Sequence, residues 1–373
     1  MALTRFELNN VRNLGRVKIF PAKTFNLIYG KNGSGKTSLL EAIHILSLGR
    51  SFRTLINHKL ISNGQNSCSV FGQVSKSNNI NPEHDLGVQK STQVKTQVKI
   101  NGELVKSASL LAEYLPLQLI TPQSIDLIEG PAKYRRQFVD WGVFHVEHLF
   151  IDQWRLVQRQ VKQRNALLKA ISQERDANKT LKLKNEIVSW NKLLVSSSIA
   201  VDEARKSYLL EFIPYLQEYI DIFLPEYQIS IDYYPGWPKK SDLAGLLENT
   251  FEKDLKQGYT FYSPNRADIR LKAGGLPALD VLSRGQLKLL VCALKLAQAR
   301  HLSDKKNLQS IFLVDDLASE LDPDNRAILC SSLGDIGAQV FITSVDKDSI
   351  ISCLPNKQCN VFHVEHGVFK SFN

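Results

Sequence analysis

The chain has 373 residues, 43% of them hydrophobic and 23% charged, and a formal net charge of +10. This is the balance of an ordinary globular protein with room for two or three domains, and the chain shows no low-complexity tract or repeat. The basic excess suits a polyanionic partner such as nucleic acid. Five cysteines (Cys68, Cys292, Cys330, Cys353, Cys359) form no C-x-x-C pair and no even framework, so a reducing, cytoplasmic setting is expected. No window approaches the length of a membrane span, and the N-terminal residues lack the apolar core of an export signal.

In chain order, residues 3–8 read as a strand, and Phe25–Tyr29 is a second short, apolar, β-prone run. Then comes Gly30-Lys31-Asn32-Gly33-Ser34-Gly35-Lys36-Thr37, which fits G-x-x-x-x-G-K-[ST] without a mismatch. Leu39, Leu40, Ile43 and Leu46 follow on one helical face that stops at Gly49. Strand, glycine-rich loop and helix are the context that makes this a nucleotide-binding loop. Glycines let backbone N–H groups turn to one point, and the helix N-terminus adds partial positive charge for phosphates. Lys36 is expected to reach the β- and γ-phosphates of ATP, and Thr37 to bind Mg²⁺.

Further along, residues 75–92 are polar and read as a loop, and residues 94–104 as a hairpin with Asn101-Gly102 at its tip. Pro122 to Pro131 leads into a helical insertion. Between residues 151 and 192 stand ten basic residues against four acidic ones. Trp154, Val157, Val161, Leu168 and Ile171, then Leu183, Ile187, Trp190 and Leu194, repeat at helical spacing, which predicts two helices joined around residues 176–180. Arg155, Arg159, Lys162, Arg164 and Lys169 are the candidates for phosphate contact on the first of them; a solvated basic face is the alternative. The insertion is expected to end near Pro235-Gly236-Trp237-Pro238, with one more helix over 242–256 and a strand pair around Gly274-Gly275.

The end of the chain decides the kind of nucleotide machine. Leu282-Ser283-Arg284-Gly285-Gln286 precedes a helix with Leu289, Leu290, Ala293, Leu294 and Ala297 on one side. The apolar strand Ile311–Val314 then runs into Asp315-Asp316. A signature followed by a Walker B strand indicates an ABC-type ATPase. Asp315 is expected to hold Mg²⁺ and Asp316 to orient or deprotonate the attacking water, where ABC proteins commonly carry Glu. Ser283, Arg284, Gly285 and Gln286 would cap the nucleotide of a partner molecule, making ATP the link in a homodimer. Ser319-Glu320-Leu321-Asp322 has the place of a D-loop. Thr343-Ser344 ends a strand where many ABC proteins have a switch histidine. The sequence His-Val-Glu-His occurs at 145–148 and 363–366, without the H-E-x-x-H spacing of a zinc site, and reads as structural.

Together these elements predict an α/β fold: an ABC-type P-loop ATPase head, residues 1–125 and 259–373, interrupted by a helical arm over 126–258. The motifs resemble those of the RecF family of bacterial recombinational repair ATPases over essentially the whole length. The matching stretches are Asn10-Val11-Arg12-Asn13, the P-loop, Gly49-Arg50-Ser51-Phe52-Arg53, Tyr134-Arg135-Arg136-Gln137-Phe138-Val139-Asp140, Ser283 with the five residues after it, and Ala318 with the four after it. One departure is Ser263-Pro264-Asn265-Arg266-Ala267-Asp268, where many members read Gly-Pro-His-Arg-Asp-Asp.

The resemblance implies an SMC-like head with a short arm in place of the coiled coil. It also implies an ATP-dependent dimer that clamps duplex DNA at single-strand gaps, weak DNA-stimulated ATPase activity, and work with RecR and RecO in placing RecA during the SOS response. By the same resemblance Arg12, Asn13 and Asn32 line the nucleotide site, and Gln123 is the Q-loop residue linking Mg²⁺ to the arm. A transporter motor and an ATPase-nuclease are the other classes. The long insertion argues against the first, and the short stretch after Asp315 against the second.

Overall fold

The computed structural model describes residues 1–75, 84–355 and 359–372. It forms two compact units: Met1–Ile125 with Glu218–Leu224 and Arg284–Asn373, and Asp126–Gln217 with Pro225–Ser283. Residues 259–283 group with the second unit and Glu218–Leu224 with the first.

The first unit is built on two six-stranded sheets. One is antiparallel, in the order β2 (Leu14–Ile19), β1 (Ala2–Val11), β4 (Ser67–Ser75), β5 (His84–Ser91), β6 (Gln97–Ile100), β7 (Glu103–Leu104). The other runs β15 (Val368–Phe372), β14 (Asn360–Glu365), β3 (Phe25–Tyr29), β13 (Gln339–Ser344), β12 (Ile311–Val314), β8 (Leu117–Ile120). Its strands are parallel except for β15. Parallel strands covered on both faces have no polar face to show, which is why β12 and β13 are buried at every position.

Helix α1 (Lys36–Leu48) packs on β1, β4 and β5 as well as on β13. Leu39, Ile43 and Leu46 share one apolar core with Leu3, Phe6, Phe341 and Phe362. The helix is therefore buried all round, not on one face as its leucines suggest: Glu41, His44 and Ser47 are buried too, and each needs a partner. Gly49 at φ 66° ends it by donating its N–H to Ile45 O. Asn101 and Gly102, at φ 51° and 84°, make the tight turn that joins β6 to β7 as expected. The loop expected over 75–92 is corrected in part: His84–Ser91 is a strand paired with both β4 and β6. Residues 76–83 lie outside the described residues.

The second unit carries α2 (Ala132–Val146), α3 (Phe150–Gln173) and most of α4 (Ala177–Phe223). The link between α3 and α4 is shorter than expected, and Asp176 starts α4 by accepting the N–H groups of Asn178 and Lys179. The unit is not purely helical. β9 (Ile229–Tyr234) pairs with β10 (Asp268–Ala273), which turns through Gly274-Gly275 into β11 (Leu276–Pro277). That pairing is why residues 259–283 belong here. The helix expected over 242–256 is two, Leu243–Asn249 and Phe251–Gln257, broken at Thr250. Helices α5 (Arg284–Lys306) and α6 (Pro323–Asp335) return to the first unit. No helix among the described residues is long and apolar enough to cross a membrane.

Candidate nucleotide site

The P-loop joins the end of β3 to the start of α1. Two glycines are required by their surroundings. A Cβ on Gly30 would stand 2.2 Å from Val364 O, and one on Gly35, at φ 119°, 2.5 Å from the Leu14 side chain. Lys36 Nζ donates to Gly30 O at 2.7 Å and to Lys31 O at 3.1 Å, bridging its own loop. Burial lowers the Lys36 pKa, and the carboxylates of Asp316 and Asp315 oppose that shift. Ser34 Oγ is buried with no partner in the protein. An ammonium held only by carbonyls and an unpaired hydroxyl, in a glycine-rich turn before a helix, fit a phosphate group.

The turn between β1 and β2 clasps this loop. Asn13 Nδ2 donates to Gly33 O at 3.1 Å, and Asn13 Oδ1 accepts from Ser38 Oγ at 2.9 Å. Arg12, at φ 56°, sends its guanidinium the other way. Nε and Nη2 each donate to a Glu41 oxygen at 2.9 Å, and Nη1 donates to Lys59 O. So Asn13 touches the loop, while Arg12 is taken up by a buried carboxylate on α1. Ser51 Oγ donates to the same Glu41, Arg53 lies 3.8 Å from it, and His44 Nδ1 bonds Arg50 O at 2.7 Å. The segment from Gly49 to Arg53 thus folds back on α1 and satisfies its buried polar groups.

Walker B meets the loop at Asp315. Thr37 Oγ1 donates to both Asp315 oxygens, at 3.0 and 3.2 Å. Thr343 Oγ1 donates to Asp315 Oδ1 at 2.6 Å and accepts the Asp316 N–H at 2.8 Å. A carboxylate beside a hydroxyl offers the hard oxygen donors that Mg²⁺ takes, so the pair fits that ion. Asp316 sits in left-handed backbone, φ 55°, and its Oδ2 accepts from Ser319 Oγ at 2.6 Å. An aspartate tolerates this conformation better than most residues, and the strain aims a second carboxylate away from the strand.

Gln123 lies in the exposed turn Pro122–Ile125 after β8. Because Ile120 registers with Val314, Gln123 and Asp315 leave the same end of the sheet. Lys31, Asn32 and Gly33 are exposed along the loop. Ser283, Arg284 and Gly285 are exposed and Gln286 is half-buried, at the entry to α5. One turn on, Lys288 Nζ pairs with Glu320 Oε2 at 2.9 Å, tying α5 to the D-loop. A small cavity lies between them, lined by Pro122, Ile125, Val291, Cys292, Leu317 and Leu321 among others.

On α3 the basic candidates divide. Arg155, Arg159, Lys162 and Lys169 are exposed and share one helical face. Arg164 is corrected: it points the opposite way, is fully buried, and pairs with the equally buried Asp254 at 2.7 Å. It also donates to Asn191 at 2.7 Å and Thr260 at 3.0 Å, so its charge is spoken for inside the unit. Of the two His-Val-Glu-His copies, His145 is half-buried beside Trp141 and His363 lies over Tyr29. Among the described residues no cluster could hold a metal ion by itself.

Glu41 was not singled out from the sequence, and Thr343 only as standing where a switch histidine was sought; a lone glutamate in an apolar helix was the signal for the first.

Residues 2–370 match the family described as the RecF/RecN/SMC N terminal domain. The DNA replication and repair protein RecF of Shewanella denitrificans is 44% identical over 368 residues, which cover 98% of both chains. The chain belongs to the RecF family. RecF of Shewanella baltica (strain OS185) is 43% identical, and that of Shewanella oneidensis 42%, each over 98% of both chains. Among solved structures, the recombination mediator RecF-ATP of the RecFOR pathway superposes with a TM-score of 0.88, at 24% identity over 100% of this chain and 98% of that one. An Smc head bound to the C-winged helix domain of ScpA gives 0.58 at 14% identity, over 100% and 97%. These likenesses show the fold: a RecF-family head of the ABC type, shared with Smc heads.

Proposed function

We propose that this RecF-family chain is an ATP-dependent DNA-binding protein of replication and recombinational repair, acting in the cytoplasm. The observation that carries the reading is the convergence of Thr37 and Thr343 on Asp315 directly below the P-loop. ATP would supply the phosphates that Lys36, Ser34 and the loop N–H groups hold, and Mg²⁺ would be held by Thr37 and Asp315, with Gln123 at its side. Such an ion neutralises charge on the phosphates and orients them. Asp316 would take a proton from water, and its tie to Ser319 would favour slow turnover.

The exposed Ser283, Arg284 and Gly285 with Gln286 would close on the nucleotide of a second copy, so that ATP builds the homodimer and hydrolysis releases it. Duplex DNA, gapped DNA above all, is then held by phosphate contacts along Arg155, Arg159, Lys162 and Lys169. RecR, RecO and RecA are the partners this reading expects.

The test is equilibrium binding of duplex, single-stranded and gapped DNA with ATP, ADP or no nucleotide, for the wild type and Lys36→Met. ATP-enhanced duplex or gap binding that Lys36→Met loses is the expected result. Binding indifferent to nucleotide, or none, would refute it.

A further inference from the structure

In the second unit three arginines surround one recess. Arg135 forms a two-pronged ion pair with Asp268, Nε to Oδ1 at 2.7 Å and Nη2 to Oδ2 at 3.1 Å. Arg205 does the same with Asp140, at 2.8 and 3.1 Å. Arg136 is different. Its bond is from Nη1 to the carbonyl of Ala267 at 2.9 Å, and no carboxylate is within ion-pair distance of it among the described residues. With Val139, Tyr233, Ala267 and Ile269 these side chains line a small recess that opens on the surface.

Charge is not balanced there. Both carboxylates have both oxygens facing a guanidinium, and the Tyr233 hydroxyl donates outward to Asp202 at 2.9 Å. Burial first, then the neighbouring Arg205 and Arg266, hold the Arg136 pKa below its usual value against the pull of Asp268 and Asp140. A guanidinium does not give up its proton in a protein, and half-buried Arg136 carries its charge with no carboxylate beside it, which leaves N–H donors for an anion from outside. The residue that Arg136 touches, Ala267 in Arg266-Ala267-Asp268, has no carboxylate of its own.

We propose that this recess binds a phosphate-type oxyanion, with Arg136 as the side chain that holds it. A planar fork of N–H donors with one arm used matches such an ion. The oxyanion is either free inorganic phosphate or a phosphodiester of bound DNA. Only the second source rests on the DNA-binding reading above.

The experiment is thermal unfolding of the full chain with a saturating non-hydrolysable ATP analogue, which fills the P-loop, titrated with phosphate against chloride at matched ionic strength. The wild type should show a saturable rise in Tm that Arg136→Gln and Ala267→Asp both lack. Ala267→Asp guards against mere misfolding, because it supplies the missing carboxylate and should start from an equal or higher Tm. Duplex titrations of the same proteins separate the sources. If the ion is a DNA phosphate, both variants bind duplex about 5-fold more weakly and lose about one from the salt slope. If it is free phosphate, duplex binding is unchanged. Phosphate that acts as chloride does, together with wild-type duplex affinity in both variants, would overturn the proposal. So would an equal phosphate response in all three proteins, which puts the ion elsewhere.

Discussion

Thr343 donates its hydroxyl proton to Asp315 across 2.6 Å, from the strand beside Walker B. The same oxygen accepts the Asp316 N–H, so one buried hydroxyl sets the position of two consecutive carboxylates. Thr343→Val keeps the shape and removes both bonds. It should cost about 1–3 kcal/mol of stability, through the N–H left unpaired. ATPase turnover should fall at least about tenfold, because a displaced Asp315 misplaces the ion. Thr343→Ser should restore most of both. Urea melts and steady-state phosphate release would show it, and full activity in the valine variant would remove Thr343 from this role.

Two substitutions at the P-loop end should separate binding from hydrolysis. Lys36→Met should abolish the ATP-driven dimer, since among the described residues no other ammonium bridges Gly30 and Lys31. Asp316→Asn should keep the dimer and hold it, because water loses its base while the groups assigned to the phosphates are untouched. Light scattering after gel filtration with ATP reads both. An ATP-dependent dimer of Lys36→Met, or normal turnover of Asp316→Asn, contradicts the assignments.

The α3 arginines and lysines should behave in two ways. Changing Arg155, Arg159, Lys162 and Lys169 together to alanine should leave the melting curve nearly unchanged and flatten the salt dependence of duplex binding by up to about 0.9 per lost contact. Arg164→Ala should do the reverse. It leaves Asp254 charged and buried without its partner, at a cost of about 3–5 kcal/mol. A stable Arg164→Ala protein with selectively weakened DNA binding would place Arg164 at the interface after all.

Two histidines should make the protein acid-sensitive. Burial pulls His44 down to about 4, against the pull of its bond to Arg50 O, and burial alone pulls His145 to about 3. Both are neutral when folded, whereas in the unfolded chain they take up protons near pH 6.5. Below 6.5 the unfolded state therefore binds more protons, and stability falls as pH drops from there toward 4. The slope should approach about 1.4 kcal/mol per pH unit for each histidine. Denaturant midpoints at pH 7, 6 and 5 test this. His44→Gln should lower stability at pH 7 but flatten the slope, and an unaltered slope would exclude His44 as a source.

Much of the site was legible because its local signals are strong. β3, β12 and the tight turn at Asn101-Gly102 stand where the sequence puts them. What escaped depends on partners distant in the chain. β5 has only Leu86 and Val88 as inward apolar residues, too few to declare a strand until β4 and β6 flank it. β9 was hidden behind a helical insertion, and its pairing with β10 moved the unit boundary. Arg164 looked like one more positive charge in a basic run. Its helical phase, opposite to Arg159 and Lys162, was readable, but Asp254 opposite it was not.

The Glu41–Arg12 pair gives the P-loop a shape independent of what it binds. Glu41 is fixed inside a helix buried on every side, Arg12 is fixed by Glu41, and Asn13 follows Arg12 onto Gly33. The loop is thus moulded when the core forms, and a nucleotide arriving later has little left to order. Its association should be quick and carry a small entropic penalty. Loosening Glu41, some distance from any phosphate, would return that penalty to the binding step.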